Sequence, residues 1–153
     1  MENDLEIVGT CGRGDEVFAL VQATHADVCL LDIEMPGIDG ITVAAELRDQ
    51  ASWCRVLIVT TFGRPGYLRR AMDAGVAGFL VKDTPAEDLA RVVREVHAGG
   101  RVIDPALAAE SLIASQLYLS VGTVRNHVSS AIGKTGAANR TEAAVTARQR
   151  GWL

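Results

Sequence analysis

Apolar residues in the first hundred positions fall into two patterns. Short runs read as strands: Leu5-Glu6-Ile7-Val8-Gly9, Val28-Cys29-Leu30-Leu31, Val56-Leu57-Ile58-Val59 and Gly78-Phe79-Leu80-Val81. Between them the spacing turns helical. Val17, Leu20, Val21 and Thr24 share one face of a helix from about Glu16 to Thr24, Ile41 to Arg48 carries a second, and about Pro65 to Ala74 a third. Met35-Pro36-Gly37 reads as the turn that closes the second run. A fourth helix has the stripe Leu89, Val92, Val93 and Val96. Thr84 and Glu87 predict its capping box, with Pro85 at the first helical position and Gly99-Gly100 at its end. Unbroken strands alternating with amphipathic helices predict a parallel sheet covered on both faces. Residues 1–100 are thus expected to form an α/β domain.

Beyond it, residues 101–115 read as a linker with a short Ala-rich helical piece. Residues 116–153 show helical spacing only, in helices from about Val121 to Thr135 and from about Arg140 to Arg150, the latter opened by a cap at Asn139 and Glu142. Charge divides the chain at nearly the same place. Residues 1–110 hold 18 of the 19 acids and 10 of the 15 bases, whereas 111–153 hold five bases against Glu142 alone. A basic end on an acidic body suits contact with a polyanion. The remaining composition, 48% apolar and 22% charged in 153 residues, is that of a globular chain with a sizeable core. No apolar run is long enough to span a membrane, and the N-terminus lacks the pattern of a signal peptide, so a cytoplasmic location is expected. Cys11, Cys29 and Cys54 have no ligand spacing and are expected to be buried small hydrophobes.

Candidate chemistry lies where the strands end. Asp32, Thr60 and Lys82 each follow or close an apolar run, and adjacent parallel strands bring such ends to one edge, where open sheets carry their ligands. A carboxylate, a hydroxyl and an ammonium there suit phosphoryl transfer, the first as nucleophile and the others as holders of the phosphoryl oxygens. Polar residues also sit at strand ends because they meet solvent, but three coordinated ends favour the chemical reading.

The segment Leu30-Leu31-Asp32-Ile33-Glu34-Met35-Pro36-Gly37-Ile38-Asp39-Gly40 resembles the phosphoacceptor region of a bacterial response-regulator receiver. Val59-Thr60-Thr61-Phe62 and Gly78-Phe79-Leu80-Val81-Lys82-Asp83 match its two later motifs in order and spacing. The resemblance implies a flavodoxin-like fold of strand order 2-1-3-4-5, with Asp32 accepting phosphate from a histidine kinase. It makes Thr60 the switch hydroxyl, Lys82 the phosphate-binding ammonium and Phe79 the switch aromatic. It further implies Mg²⁺ on Asp32 and the backbone carbonyl of Glu34. The pattern departs from the family in opening at what corresponds to the second strand, without the first strand and the paired acids that complete the metal site.

Leu119-Ser120-Val121-Gly122-Thr123-Val124-Arg125-Asn126-His127-Val128 resembles the recognition helix of a LuxR-type helix-turn-helix, the arrangement of the NarL/LuxR response regulators. Val121, Val124, Val128 and Ile132 would pack inward, with Gly122, Asn126, Ser129, Ser130 and Gly133 on the opposite face and Arg125 on its flank. Ser120, Thr123, Arg125, Asn126, Ser129 and Lys134 are the candidate DNA-binding residues, and double-stranded DNA the implied partner. His127 is expected on the core flank in a structural role, and His25 and His97 suggest no metal site. The helices that precede a recognition helix in this family are missing, so a break in the backbone is expected between about Ile113 and Leu117.

These readings converge on a transcriptional response regulator, not an enzyme, in which phosphorylation of Asp32 favours a homodimer that binds its operator. A pseudo-receiver that binds DNA without phosphorylation is the first alternative. A phosphoaspartate phosphohydrolase, whose nucleophile segment Asp32-Ile33-Glu34 echoes, is the second; Met35-Pro36 and the basic helices argue against it.

Overall fold

The computed structural model describes residues 2–61 and 66–152. The chain divides into two compact units, Met1–Leu107 and Ala108–Leu153. In chain order the elements are α1 (Gly14–Thr24), β1 (Val28–Leu31), α2 (Gly40–Gln50), β2 (Arg55–Thr60), α3 (Tyr67–Asp73), β3 (Gly78–Val81), α4 (Ala86–His97), β4 (Val102–Ile103), α5 (Pro105–Gln116), α6 (Val121–Thr135) and α7 (Arg140–Gln149). The expected start of the third helix at Pro65, and Phe62 of the second motif, lie outside the described residues.

In the first unit the four strands form one parallel sheet in the order β1-β2-β3-β4. Alternation along the strands sends side chains to two separate cores. Leu31, Val56, Ile58 and Phe79 pack with Val17 and Val21 of α1, Ile41, Val43 and Leu47 of α2, and Ala71 of α3. Leu57 and Leu80 face the other way, onto Val92 and Val96 of α4. This is the predicted receiver-like architecture, a parallel sheet with helices on both faces. At the end of α4, the Arg55 guanidinium donates to the carbonyls of Gly99 and Gly100, each at 3.2 Å, and so fastens the helix terminus to β2.

Several local expectations are corrected. Leu5–Gly9 forms no strand: no described strand lies beyond β1, and a lone segment cannot satisfy its backbone groups in a ladder. Its Ile7 is 85% exposed, and just before it Glu2 and Asp4 are both held by Arg94 of α4. That guanidinium draws the Asp4 carboxyl down to about 2. The stretch expected as a linker instead carries β4, paired to β3 through Gly78 and Phe79, and most of α5. No break occurs between Ile113 and Leu117, because α5 runs through Ser115 and the Leu117 amide donates to the Ile113 carbonyl at 3.0 Å. The Thr84 capping box is absent: Pro85, in extended conformation, is the cap of α4 and no side chain closes it. Cys54 is buried and Cys29 half-buried, but Cys11 is exposed because the segment around it joins no sheet.

In the second unit, Asn139 caps α7 by accepting from the Glu142 amide at 2.9 Å, while the Glu142 carboxylate accepts from Ala138 at 2.7 Å. The Asn139 cap is the one expected from the sequence. Gly136 ends α6 in the left-handed region, φ 68°, with the Ala137 amide closing back on Ile132.

Leu47 is fully buried between α2 and the sheet. Leu47→Ala should therefore lower the unfolding free energy by about 2–5 kcal/mol, read from urea denaturation.

Candidate functional site

The sheet register builds the first site. Leu31 lies opposite Ile58 and Thr60 opposite Val81, so Asp32, Thr60 and Lys82 all fall at the carboxyl edge. The Lys82 amide donates to the Thr60 carbonyl at 2.9 Å, which fixes the chain at the root of the lysine. From there its side chain reaches over β2, and Nζ stands 2.7 Å from Asp32 Oδ2. Thr60, at the end of the intervening strand, is only 1% exposed. Phe79 is fully buried in the core beneath the α1–α3 face. The structure thus joins Asp32 to Lys82 directly and places Thr60 on the strand between them.

Asp32 feels opposing influences. Partial burial pushes its carboxyl up, but the hydrogen bond from Lys82, the Glu34 amide at 3.4 Å and the lysine's charge outweigh it, and the net shift is downward. An ionised Asp32 is what a nucleophile requires.

The loop after Asp32 returns beneath it. Both the Met35 and Gly40 amides donate to the Ile33 carbonyl, and Gly14 at the start of α1 donates to Pro36 at 3.0 Å. Gly37 has φ 82°, and a Cβ there would stand 2.2 Å from Asp15 Oδ1. A Cβ on Gly40 would stand 2.0 Å from the carbonyl oxygen of Asp32 itself. Asp39 then caps α2, its carboxylate accepting from the Ile41 and Thr42 amides and from the Thr42 hydroxyl. Sequence reasoning gave no role to Asp39 or Gly40. An Asp ahead of the Ile41 helical pattern was the available signal for the cap; nothing local signalled the close approach at Gly40.

Asp32 and the Glu34 carbonyl are oxygen donors of the type Mg²⁺ takes, but the ion wants about six such ligands. Among the described residues no three His, Cys, Asp or Glu side chains stand together as a metal group. Lys82 already occupies one Asp32 oxygen. These residues alone do not make up a Mg²⁺ site, and no step is routed through the metal.

The second unit holds the other candidates. Ser120 caps α6, its hydroxyl accepting from the Thr123 amide at 3.0 Å and lying 2.8 Å from the Thr123 hydroxyl. Val124 is buried and Val128 and Ile132 are half-buried, as predicted; the Val121 side chain lies outside the described residues. Asn126, Ser129, Ser130, Gly133 and Lys134 are exposed, with Arg125 half-exposed beside them. His127 is exposed as well, which corrects its expected place on the core flank: the inward face narrows to the Val124–Val128–Ile132 row.

Comparison with known proteins agrees with both halves. The response-regulator receiver domain matches residues 1–94, and the LuxR family of bacterial regulatory proteins matches residues 109–147. The transcriptional regulatory protein DesR of Bacillus subtilis is 37% identical, over all of this chain and 88% of its own. The uncharacterized transcriptional regulatory protein YvfU of the same organism is 38% identical, over all of this chain and 89% of its own. The crystal structure of a LuxR-family DNA-binding response regulator from Staphylococcus aureus is 36% identical with a TM-score of 0.59, covering 62% of this chain and 79% of that one.

The fold and its two sites define a receiver joined to a helix-turn-helix region. The chain belongs to the LuxR family of DNA-binding transcriptional response regulators. The alignment with DesR runs over 178 positions and takes in all of this 153-residue chain, so DesR has residues without a counterpart here.

Because Lys82 opposes the effect of burial on Asp32, Lys82→Met should move the Asp32 carboxyl pKa upward in a carbon-detected NMR titration. An unmoved titration would show that the ion pair does not set it. Asp32 binds its proton more weakly folded than unfolded, so its stabilising contribution is present above the ordinary carboxylate range and is lost as pH falls through it.

Proposed function

We propose that this regulator takes its phosphoryl group on Asp32, from a histidine kinase, and that the modification favours a homodimer bound to operator DNA. The observation that carries the reading is the 2.7 Å approach of Lys82 to Asp32 across the strand that ends in Thr60. An ionised Asp32 oxygen attacks phosphorus as the bond to the donor nitrogen breaks. Lys82 then shifts from carboxylate to the new phosphoryl oxygens, and the Thr60 hydroxyl donates to another of them. Thr60 moves to reach it, and the space it leaves lets Phe79 respond, which couples the site to the unit's surface. In the second unit, Arg125, Asn126 and Ser129 meet base edges in the major groove, while Ser120, Thr123 and Lys134 hold phosphates. The protein acts in the cytoplasm as a switch without turnover of a substrate.

A second reading is a receiver that works without phosphorylation. It is favoured by one observation, that Asp32 has no partner acids among the described residues with which to hold Mg²⁺.

An acyl phosphate with Mg²⁺ separates the two. Wild-type protein should gain one phosphate in mass and Asp32→Asn none; a wild-type chain that gains nothing supports the second reading, and labelling of the Asn variant would remove Asp32 from the chemistry.

Arg125→Ala and Asn126→Ala should each weaken specific DNA binding by about 1–3 kcal/mol. Unchanged affinity in both would take α6 out of the groove.

A further inference from the structure

Two thiols stand together in the first unit and take no part in the site described above. Cys29 lies on β1 opposite Val56, with Val28 opposite Arg55. Cys54, the residue before β2, therefore falls beside Asp27 and diagonal to Cys29; the Arg55 amide on the Asp27 carbonyl at 2.8 Å closes the ladder there. Alternation sends both side chains to one face, where Cys54 is buried in the core with Val56 and Ile58 and Cys29 packs against it. There the two thiols meet, Cys29 donating its hydrogen to the Cys54 sulfur. The contact draws the Cys54 thiol down against burial and the charge of Asp27, and pushes the Cys29 thiol up, with burial adding to the rise. Cys54 is thus the first of the pair to become a thiolate, the reactive form.

We propose that Cys29 and Cys54 form an oxidation site, at which hydrogen peroxide converts the two thiols into a disulfide that restrains the strand leading to Asp32. The Cys54 thiolate attacks one peroxide oxygen and the O–O bond breaks, leaving a Cys54 sulfenic acid and a hydroxide that takes up a proton. The Cys29 sulfur then attacks the sulfenic sulfur, the S–O bond breaks, and the departing hydroxide leaves as water with the Cys29 proton. The pair has lost two electrons and two protons, and the peroxide has become two waters. Burial selects the oxidant. Cys54 is 5% exposed, which admits a molecule of two oxygen atoms but not the bulk of a peptide disulfide. Bridged cysteines need Cα atoms within about 7 Å, and diagonal neighbours on a sheet face stand about 7–8 Å apart, so closure draws the two together. Cys54 can yield because its amide bonds to Ala51 at 2.9 Å, in a turn outside the ladder. Only Leu30 and Leu31 separate Cys29 from Asp32, so the bond fastens the root of that segment. In a reducing compartment a bond of this kind is transient and serves sensing.

The full chain carrying Cys11→Ser, which removes the exposed thiol, is treated with equimolar hydrogen peroxide in native buffer, alkylated with iodoacetamide and digested. It should lose two hydrogens in mass, resist alkylation, and yield the tryptic peptides of Cys29 and Cys54 joined within one chain, all reversed by dithiothreitol. Two alkylated thiols, a sulfinic acid at either position, or a bond found only between chains would overturn the assignment. With Cys29→Ala added, dimedone should trap a sulfenic acid on Cys54; no adduct there would remove Cys54 as the attacking thiol. Amide hydrogen exchange at Leu30 and Leu31 should slow in the oxidised form, and equal exchange in both forms would show that the bond does not restrain the strand. No phosphodonor, kinase or DNA enters these measurements, so the thiol pair stands or falls apart from phosphorylation of Asp32.

Discussion

The first unit depends on a parallel register that brings three strand ends to one edge of the sheet, and on the lysine that crosses from one of them to another. β1 and β3 never touch in the sheet; β2 separates them. Only a side chain as long as lysine spans that interval and still delivers a charge to Asp32. With the Lys82 side chain 46% exposed and Asp32 25% exposed, the pair contributes little to stability, about 0–1 kcal/mol. Its consequence is electrostatic. It holds the Asp32 carboxyl pKa below its ordinary value against the pull of partial burial.

The loop between Asp32 and α2 shows how closely the backbone is fitted around that carboxylate. Gly40 passes so near the Asp32 carbonyl that any Cβ would displace it, and Gly37 passes Asp15 in the same way on the outer side of the loop. Asp39 caps α2 immediately between these constraints and the helix. The Asp39 cap, the two glycines and the Gly14 amide of α1 all act on this loop, so the position of Asp32 is set from the helices as well as from its strand. The Lys82 ammonium meets that carboxylate from the far strand, at 2.7 Å.

How much of this was legible in the sequence depended on how far each signal reaches. Three strands and six of the seven helices among the described residues announced themselves through local periodicity, and the three strand-end residues followed from parallel topology. Strand formation at Leu5–Gly9 was not decided locally, since an apolar run becomes a strand only beside a partner and none of the described residues supplies one. Val102-Ile103 erred in the opposite sense: two residues are too few to show a period, yet β3 offers them an edge. Pro85 began α4 without help from Thr84 because its own fixed φ suits the helix entrance. His127 was misplaced by assuming a wide buried face for α6, when the helices present cover only a narrow one.

That narrow coverage is the physical link between the two halves of the second unit. Val124, Val128 and Ile132 find cover enough to be buried or half-buried, while larger side chains at the end of α5 do not. An apolar face is covered only by the neighbours that reach it, so the α6 row closes where the end of α5 stays open. Val124 is therefore the side chain whose loss would first shift α6 within its unit, and the exposed polar row of Asn126, Ser129 and Lys134 keeps its place through that one buried contact row.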